Sequence, residues 1–238
     1  MSSADLAPLP LSPCAALDVD GDRPLSAALV AEVHAFCDLV EDAPDGTAAV
    51  VRLSGTESSR LWPGPVGIDL VSRWEKALRR LERAPAARIA IASGLCGGPA
   101  LEVLLTCDHR IGAPGVRFEF PVRDGGVWAG MAVHRLVAQS GGAVARRMVL
   151  FGAALPAERA LADGLLDEIV EDPEQAAALL AGSIGRLASG ELAIRRRLVH
   201  DAAVTGFEEA LGMHLAACER TLSRTAARGR GGVPGMLP

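Results

Sequence analysis

The sequence predicts an α/β fold built on a mostly parallel sheet. Short continuous apolar segments, of which Ala48–Leu53 and Ile89–Ala92 are the clearest, have the composition of strands that are buried on both faces. Segments with apolar residues at helical spacing separate these strands. From Pro173 onwards the pattern is helical only. Strands that alternate with helices, followed by a helical end, are typical of a parallel sheet with a C-terminal helical region.

The N-terminal elements follow a strand, turn and helix pattern. Residues 1–13 are rich in Ser, Ala and Pro, and we expect them to be disordered. Ala15–Val19 is the first predicted strand, and the sequence Asp-Gly-Asp at 20–22 is a strong turn signal. Ser26 is the predicted N-cap of a helix. The apolar face of this helix has spacings of three and four residues and consists of Leu25, Leu29, Val33, Phe36 and Val40.

A loop over residues 54–67, with three glycines and two prolines, separates the second strand from the second helix. Asp69 is the predicted cap of that helix, and Pro85 ends it. Its apolar face consists of Leu70, Trp74, Leu78 and Leu81. Three further strands are predicted after it, at 109–112, 116–120 and 165–170.

The remaining segments are mostly helical. Residues 122–130 form a glycine-rich loop, and the helices predicted at 131–137 and 143–151 are separated by Gly141-Gly142. The last helix has Phe207, Leu211, Leu215, Cys218 and Leu222 on one face. Residues 224–238, rich in Arg, Gly and Pro, are expected to form a mobile tail.

The segment Ser93–Asp108 combines a glycine turn with a helix start. The pair Gly97-Gly98 precedes Pro99, a residue type that is favoured at the first helical position. We expect the helix to run from about Pro99 to Thr106, with Glu102 in its first turn. Unpaired backbone N–H groups and the helix dipole give such a helix start a positive potential. The segment therefore offers a place to stabilise a negatively charged oxygen, with one carboxylate beside it.

Composition excludes several functions. The net charge of −5, the absence of tyrosine and an aromatic content of 3% argue against a nucleic-acid partner. The five cysteines are scattered and show no metal-ligand spacing, so neither a disulfide framework nor a metal site is expected. No apolar run approaches 18 residues, which predicts a soluble, cytoplasmic protein without a membrane partner. No dinucleotide, P-loop, nucleophile-elbow or zinc-protease motif is present.

The chain resembles the crotonase (enoyl-CoA hydratase/isomerase) superfamily over roughly residues 15–222. Five segments in matching order carry the likeness: Val-Val-Arg-Leu-Ser-Gly (50–55), Gly-Ile-Asp-Leu (67–70), residues 93–108, Met-Val-Leu-Phe-Gly (148–152) and Ala-Asp-Gly-Leu-Leu-Asp-Glu-Ile-Val (162–170). The resemblance implies a ββα-superhelix core at 14–186, C-terminal helices at 187–223 that serve oligomerisation or self-capping, and a homotrimer or hexamer. It also implies an acyl-CoA substrate and no separate cofactor.

The resemblance further implies an oxyanion hole of two backbone N–H groups around a thioester carbonyl. The first is that of Ile68. The second belongs to the third residue of the glycine run, which here is Pro99 and has no N–H. Either Gly98 or Ala100 then supplies the hydrogen bond, and we assign it to Gly98, with Gly67, Gly97 and Pro99 next to the substrate.

The hydratases of the superfamily also use two glutamates as acid and base. Glu102 falls on the first of these positions, whereas the second falls at or next to Val122, which cannot transfer a proton. Asp124 is the first candidate for the missing acid, Glu119 is a neighbouring alternative, and Glu102 acting twice is the second candidate. The implied chemistry is proton transfer α to a thioester carbonyl, with the enolate held by the amides of Ile68 and Gly98.

Within the superfamily the chain looks most like the small crotonase-like proteins of the 3,5-dihydroxyphenylglycine pathway in antibiotic biosynthesis. Four segments carry this likeness: 23–26, 74–83, 191–196 and 214–220. It implies a hydro-lyase that assists a type III polyketide synthase in forming 3,5-dihydroxyphenylacetyl-CoA. Two alternatives stay open: a catalytically weakened partner subunit that activates the synthase or a paralogous crotonase, and plain enoyl-CoA hydration, which requires the missing glutamate.

Overall fold

The structure of the chain is a computed structural model. It describes residues 15–44, 46–56, 62–123, 125–128, 130–184, 191–202 and 205–230. The chain divides into two compact units, residues 1–189 and 190–238, and each is described by itself.

Ten strands, six α-helices and one π-helical segment make up the described part of the first unit. The strands are β1 (Ala15–Asp20), β2 (Ala48–Ser54), β3 (Ala87–Ala92), β4 (Leu95–Cys96), β5 (His109–Gly112), β6 (Arg117–Phe118), β7 (Val122–Arg123), β8 (Gly126–Val127), β9 (Leu155–Pro156) and β10 (Glu168–Ile169). The helices are α1 (Ala27–Glu41), α2 (Ile68–Arg83), α3 (Gly98–Leu104), α4 (Met131–Ala145), α5 (Ala157–Ala162) and α6 (Pro173–Ile184).

The central sheet is parallel throughout, with the strand order β1-β2-β3-β5-β10. Every residue of β3 is buried, as expected for a strand covered on both faces. A smaller sheet has the order β4-β6-β9, and β7 pairs with β8 in an antiparallel ladder. The α/β class predicted from the sequence is therefore confirmed, because the strands and helices alternate as the apolar pattern indicates.

Helix α1 follows its sequence signals closely. The Ser26 side chain accepts a hydrogen bond from the Leu29 amide at 3.1 Å, which confirms the predicted N-cap. The predicted apolar face is buried in the core. Local capping and periodicity therefore determine where this helix begins and which face it buries.

Helix α2 begins differently from the prediction. Its N-cap is Gly67, in an extended conformation and with no side-chain cap, so the prediction that Asp69 caps the helix is wrong. Asp69 lies inside the first turn, where its carboxylate still interacts favourably with the helix dipole. The predicted apolar face packs inward, with Trp74, Leu78 and Leu81 fully buried.

Three predicted elements differ in length from the observed ones. The strands expected at 116–120 and 165–170 are reduced to β6 and β10. The amides of Leu165 and Leu166 both donate to the Ala160 carbonyl. These two residues therefore belong to a turn and do not pair with a neighbouring strand. The break expected at Gly141-Gly142 is a kink within α4, where Gly141 has φ 84°, and a π-helical segment at Arg146–Leu150 follows.

The second unit contains α7 (Glu191–Ala202) and α8 (Phe207–Arg230). Glu191 forms ion pairs with Arg195 at 3.0 Å and with Arg224 at 2.5 Å, and it thereby joins the two helices. Helix α8 continues to Arg230 and is longer than the sequence predicts, since we placed the start of a mobile tail at residue 224. The apolar side chains of Phe207, Leu211, Leu215 and Leu222 on this helix are exposed.

Two further observations concern the described residues as a whole. None of their helices combines the length and the apolar character needed to cross a membrane. In the same part of the chain, no cluster of three or more His, Cys, Asp or Glu side chains has an arrangement that would hold a metal ion.

Candidate active site at the starts of α2 and α3

Two helices begin on the same edge of the central sheet. Helix α2 follows β2, and α3 follows β3 by way of the short strand β4. Because β2 and β3 are adjacent and parallel, both helices start at the carboxyl edge of the sheet. In open α/β sheets this edge is where ligands usually bind.

The loops that precede α3 are packed tightly against their neighbours. The Gly21 amide donates to the Ser54 carbonyl at 2.6 Å, and the Leu95 amide donates to the Gly55 carbonyl at 2.9 Å. A Cβ atom at Gly94, which has φ +66°, would lie only 2.3 Å from the Gly55 carbonyl oxygen. Glycine is therefore required at this approach, and the contact fixes the backbone that leads into α3.

The start of α3 leaves one amide without an acceptor inside the helix. Gly97 is the N-cap, and its carbonyl accepts from the amides of Ala100 and Leu101 at 3.1 and 3.3 Å. Pro99 has no N–H, and Gly98, with φ 46°, is the first helical residue. Of the two amides that could replace that of Pro99, the Ala100 amide is therefore already used, whereas the Gly98 amide has no intrahelical acceptor.

The start of α2 has the same arrangement. The Gly67 carbonyl accepts from the amides of Leu70 and Val71 at 3.1 and 3.4 Å. The amide of Ile68, the first helical residue, has no acceptor inside the helix. Gly67 and Ile68 are exposed, in contrast to Gly97, Gly98 and Pro99, which are buried.

Glu102 is the most unusual side chain of this region. It lies in the second turn of α3 rather than in the predicted first turn, because the helix starts one residue early. Only 3% of its surface is exposed. Its Oε1 accepts from the indole of Trp62 at 3.1 Å, and its Oε2 accepts from the indole of Trp74 at 2.6 Å.

The environment of Glu102 changes its proton affinity. Burial raises the pKa of this carboxyl to about 7, and the negative charge of Glu75 acts in the same direction. The indole hydrogen bonds and the positive charge of Arg135 oppose the rise of the pKa but do not cancel it. A carboxyl group with a pKa near neutrality can both accept and return a proton, as general acid–base chemistry requires.

Trp62 and Trp74, which donate to Glu102, are candidate-site residues that the sequence analysis did not predict. The chain has three tryptophans, and all of them lie near Glu102. For Trp128 the link is Gly130, where a Cβ atom would lie 2.7 Å from the indole nitrogen of Trp128 and 3.3 Å from Glu102 Oε1. A signal was available, because the loop before α2 and the glycine-rich loop before α4 each carry a tryptophan.

The other residues of the predicted acid–base set differ in their surroundings. Val122 lies in the β7–β8 ladder opposite Val127, and 48% of its surface is exposed. Asp124, our first candidate for the acid, lies outside the described residues. Glu119 follows β6 and is partly buried. Of the two described carboxyl groups in the predicted set, Glu102 is therefore the fully buried one.

Comparison with known proteins identifies the family. Residues 69–228 match the family model described as enoyl-CoA hydratase/isomerase. The chain is 44% identical over 210 residues to an enoyl-CoA hydratase of Amycolatopsis orientalis, which covers 88% of this chain and 96% of that protein. It is also 31% identical over 111 residues to a (3,5-dihydroxyphenyl)acetyl-CoA 1,2-dioxygenase of the same organism, over 47% of this chain and 25% of that protein.

Solved structures agree with the fold. An enoyl-CoA hydratase/isomerase family protein from Silicibacter pomeroyi superposes with a TM-score of 0.73 at 19% identity, covering 87% of this chain and 95% of that chain. An enoyl-CoA hydratase from Mycobacterium smegmatis gives 0.71 at 19% identity, with 87% of each chain covered. The crotonase-like fold expected from the sequence is thus confirmed. The chain belongs to the enoyl-CoA hydratase/isomerase family, that is, to the crotonase superfamily of enzymes that act on CoA thioesters and need no further cofactor.

Proposed function

We propose that this protein is a dehydratase that acts on a CoA thioester and assists a type III polyketide synthase in forming 3,5-dihydroxyphenylacetyl-CoA. The observation that carries the proposal is the position of Glu102, a buried carboxyl with a pKa of about 7. It lies one turn beyond Gly98, whose amide has no acceptor within α3. A proton acceptor next to an unused amide is the combination that enolate chemistry requires.

The proposed reaction is a stepwise elimination of water through an enolate. Glu102 removes a proton from the carbon next to the thioester carbonyl, and the amides of Ile68 and Gly98 hold the enolate oxygen. The enolate then reforms the carbonyl, a carbon–carbon double bond forms, and the C–O bond at the β carbon breaks. The hydroxide leaves as water with a proton from a carboxylic acid. Either Asp124 or the protonated Glu102 supplies that proton, and aromatisation of the product ring contributes to the driving force.

Two relatives support the assignment to this pathway. A protein with 44% identity is an enoyl-CoA hydratase, and the same organism has the dioxygenase that acts on (3,5-dihydroxyphenyl)acetyl-CoA. The similarity to the dioxygenase covers about half of this chain, which is consistent with a shared thioester-binding core.

The test is product formation in a mixture of malonyl-CoA, the candidate synthase and this protein, followed by chromatography. We expect Glu102→Gln to lower formation of the aromatic thioester by at least about 10²-fold, the range for loss of a general acid–base group. Glu158→Gln, a change at an exposed carboxylate of α5, is the control and is expected to have no effect. Full activity of Glu102→Gln would rule out the proposed mechanism.

A second candidate function is that of a partner subunit with little or no turnover. Pro99 removes one amide from the start of α3, the resemblance puts the second glutamate position at or next to Val122, and both oxygens of Glu102 are already hydrogen-bonded. This function predicts that the synthase mixture needs the protein but not its Glu102 carboxylate. The experiment with Glu102→Gln therefore discriminates between the two functions.

We also propose that the protein forms a homotrimer or a hexamer. The exposed apolar side chains of α8 offer a surface for self-association, since contiguous exposed apolar residues favour protein contacts. Sedimentation analysis of the wild type and of Leu215→Glu tests this, with a smaller species expected for the variant. A monomeric wild type would contradict the proposal.

A further inference from the structure

Glu102 is held from two sides by indole N–H groups. We propose that Trp62 and Trp74 are positioning residues that orient the Glu102 carboxylate for proton transfer and stabilise its charged form. This role rests on the proposed function, because it concerns the carboxylate to which that function assigns the proton transfer.

Each oxygen of the Glu102 carboxylate accepts one hydrogen bond from an indole. Trp62 Nε1 donates to Oε1 at 3.1 Å and Trp74 Nε1 donates to Oε2 at 2.6 Å, so neither oxygen is without a fixed donor. Indole nitrogen donates one hydrogen bond and accepts none. The two tryptophans can therefore stabilise the carboxylate, but they do not take part in the proton transfer between Glu102 and the substrate. Each oxygen keeps lone-pair capacity for that proton.

The two donors are themselves rigidly placed. Both indoles are 1% exposed, and their rings pack edge to face, with centroids 5.7 Å apart and planes at 69°. Trp74 lies on α2, whereas Trp62 lies in the segment before that helix, so the carboxylate is hydrogen-bonded by two parts of the chain. A glutamate side chain with several rotatable bonds is thereby restricted to one orientation, which is the condition for efficient proton transfer.

Other charged groups face Glu102 from two helices. Glu75 on α2 disfavours the charged carboxylate, and Arg135 on α4 favours it. Arg135 contacts Glu75 Oε2 at 3.0 Å and Glu82 Oε1 at 3.5 Å, so its charge is shared with two carboxylates. The indoles are therefore the described groups that hydrogen-bond the Glu102 oxygens directly.

The first test is the pH dependence of product formation. Trp62→Phe and Trp74→Phe each remove one donor to the carboxylate, which raises the pKa of Glu102. We expect the acidic limb of the rate profile to move to higher pH by about one unit, with kcat at pH 7 lowered and KM nearly unchanged. Trp128→Phe is the matched control, because the Trp128 indole donates no hydrogen bond to Glu102 in the described structure; its profile should keep its midpoint.

A second test needs neither substrate nor synthase. The chain has three tryptophans, so its indole ¹H–¹⁵N spectrum contains three side-chain resonances, which the Trp→Phe variants assign. In the wild type the resonances of Trp62 and Trp74 should titrate together near pH 7, with a smaller shift for Trp128. In Glu102→Gln this titration should be lost. An indole titration that is absent in the wild type would overturn the proposal even if a tryptophan variant fails to fold.

The outcomes separate this inference from the proposed function. If Glu102 is essential for product formation but neither Trp62→Phe nor Trp74→Phe moves the pH profile, the positioning role is wrong and the proposed function stands. If Glu102→Gln is fully active, the proposed function is wrong and the positioning role is wrong with it. A shifted profile in both tryptophan variants, together with the indole titration, supports the positioning role.

Discussion

The guanidinium of Arg88 and the carboxylate of Asp108 pair at 2.7 Å beneath helix α3. Arg88 lies on β3 and is fully buried, and Asp108 follows the helix that carries Glu102. The same guanidinium donates to the carbonyls of Thr106, Leu81 and Ala84 at 2.8, 2.9 and 3.2 Å. One arginine thus joins the ends of α2 and α3 to the central sheet and fixes the helix on which the candidate site depends.

Replacing Arg88 should therefore destabilise the first unit. Arg88→Met keeps most of the side-chain volume but leaves the Asp108 carboxylate and three carbonyls without this donor. We expect the free energy of unfolding to fall by about 3–5 kcal/mol, the range for breaking a buried ion pair. Urea unfolding measures it. The control, Arg159→Met, removes an exposed ion pair with Asp163 and should cost less than about 1 kcal/mol. Equal losses for the two variants would contradict the structural role of Arg88.

The raised pKa of Glu102 predicts a pH dependence of stability. The carboxyl titrates near pH 7 in the folded protein and near 4.3 when unfolded, so between these values the folded state binds more protons. The free energy of unfolding should accordingly decrease as pH rises through this window, by up to about 3 kcal/mol, and level off above it.

The glutamine variant isolates this contribution. Glu102→Gln cannot titrate, so its stability relative to the wild type should improve between pH 5 and pH 8, as measured by urea unfolding at both values. All other titratable groups are common to both proteins, so their effects cancel in the comparison. Parallel pH profiles of the two proteins would show that the Glu102 carboxyl has an ordinary pKa.

The start of α3 should tolerate substitution poorly at Gly98. Its φ of 46° is a left-handed conformation that an alanine adopts at a cost of about 1–2 kcal/mol. Gly98→Ala should lower stability by this amount and reduce product formation, because the Gly98 amide must move. Gly67→Ala is the matched control at the start of α2: φ is −84° and no atom lies within 4 Å of the added Cβ. Equal thermal midpoints for the two variants would contradict this expectation.

Gly130 lies where an added side chain would not fit. A Cβ atom there would meet the Trp128 indole nitrogen at 2.7 Å and Glu102 Oε1 at 3.3 Å. Gly130→Ala should therefore displace Trp128, crowd the carboxylate and lower product formation at least about tenfold, since small misplacements at a catalytic group have large effects. Gly142→Ala, whose added Cβ would make an ordinary 3.7 Å contact with Arg146, should leave activity intact. An unimpaired Gly130→Ala variant would show that this contact has no catalytic importance.

Several features of the fold were predictable because they depend on residues close together in sequence. The Ser26 cap and the buried face of α1 follow from one hydroxyl and a repeat of three and four residues. The glycine turns before α2 and α3 are equally local. The incorrect prediction that Asp69 caps α2 has a local reason too. The Gly67 carbonyl accepts hydrogen bonds from amides at the helix start that a capping side chain would otherwise bind.

The sequence alone determined the α/β class, the family resemblance and the position of Glu102 behind a glycine-capped helix start. The tertiary structure alone decided that Trp62 and Trp74, 40 and 28 residues before Glu102, bind its two oxygens. Periodicity and capping depend on neighbours within one or two helical turns, whereas a carboxylate's partners and its proton affinity depend on which distant segments the packing brings to it.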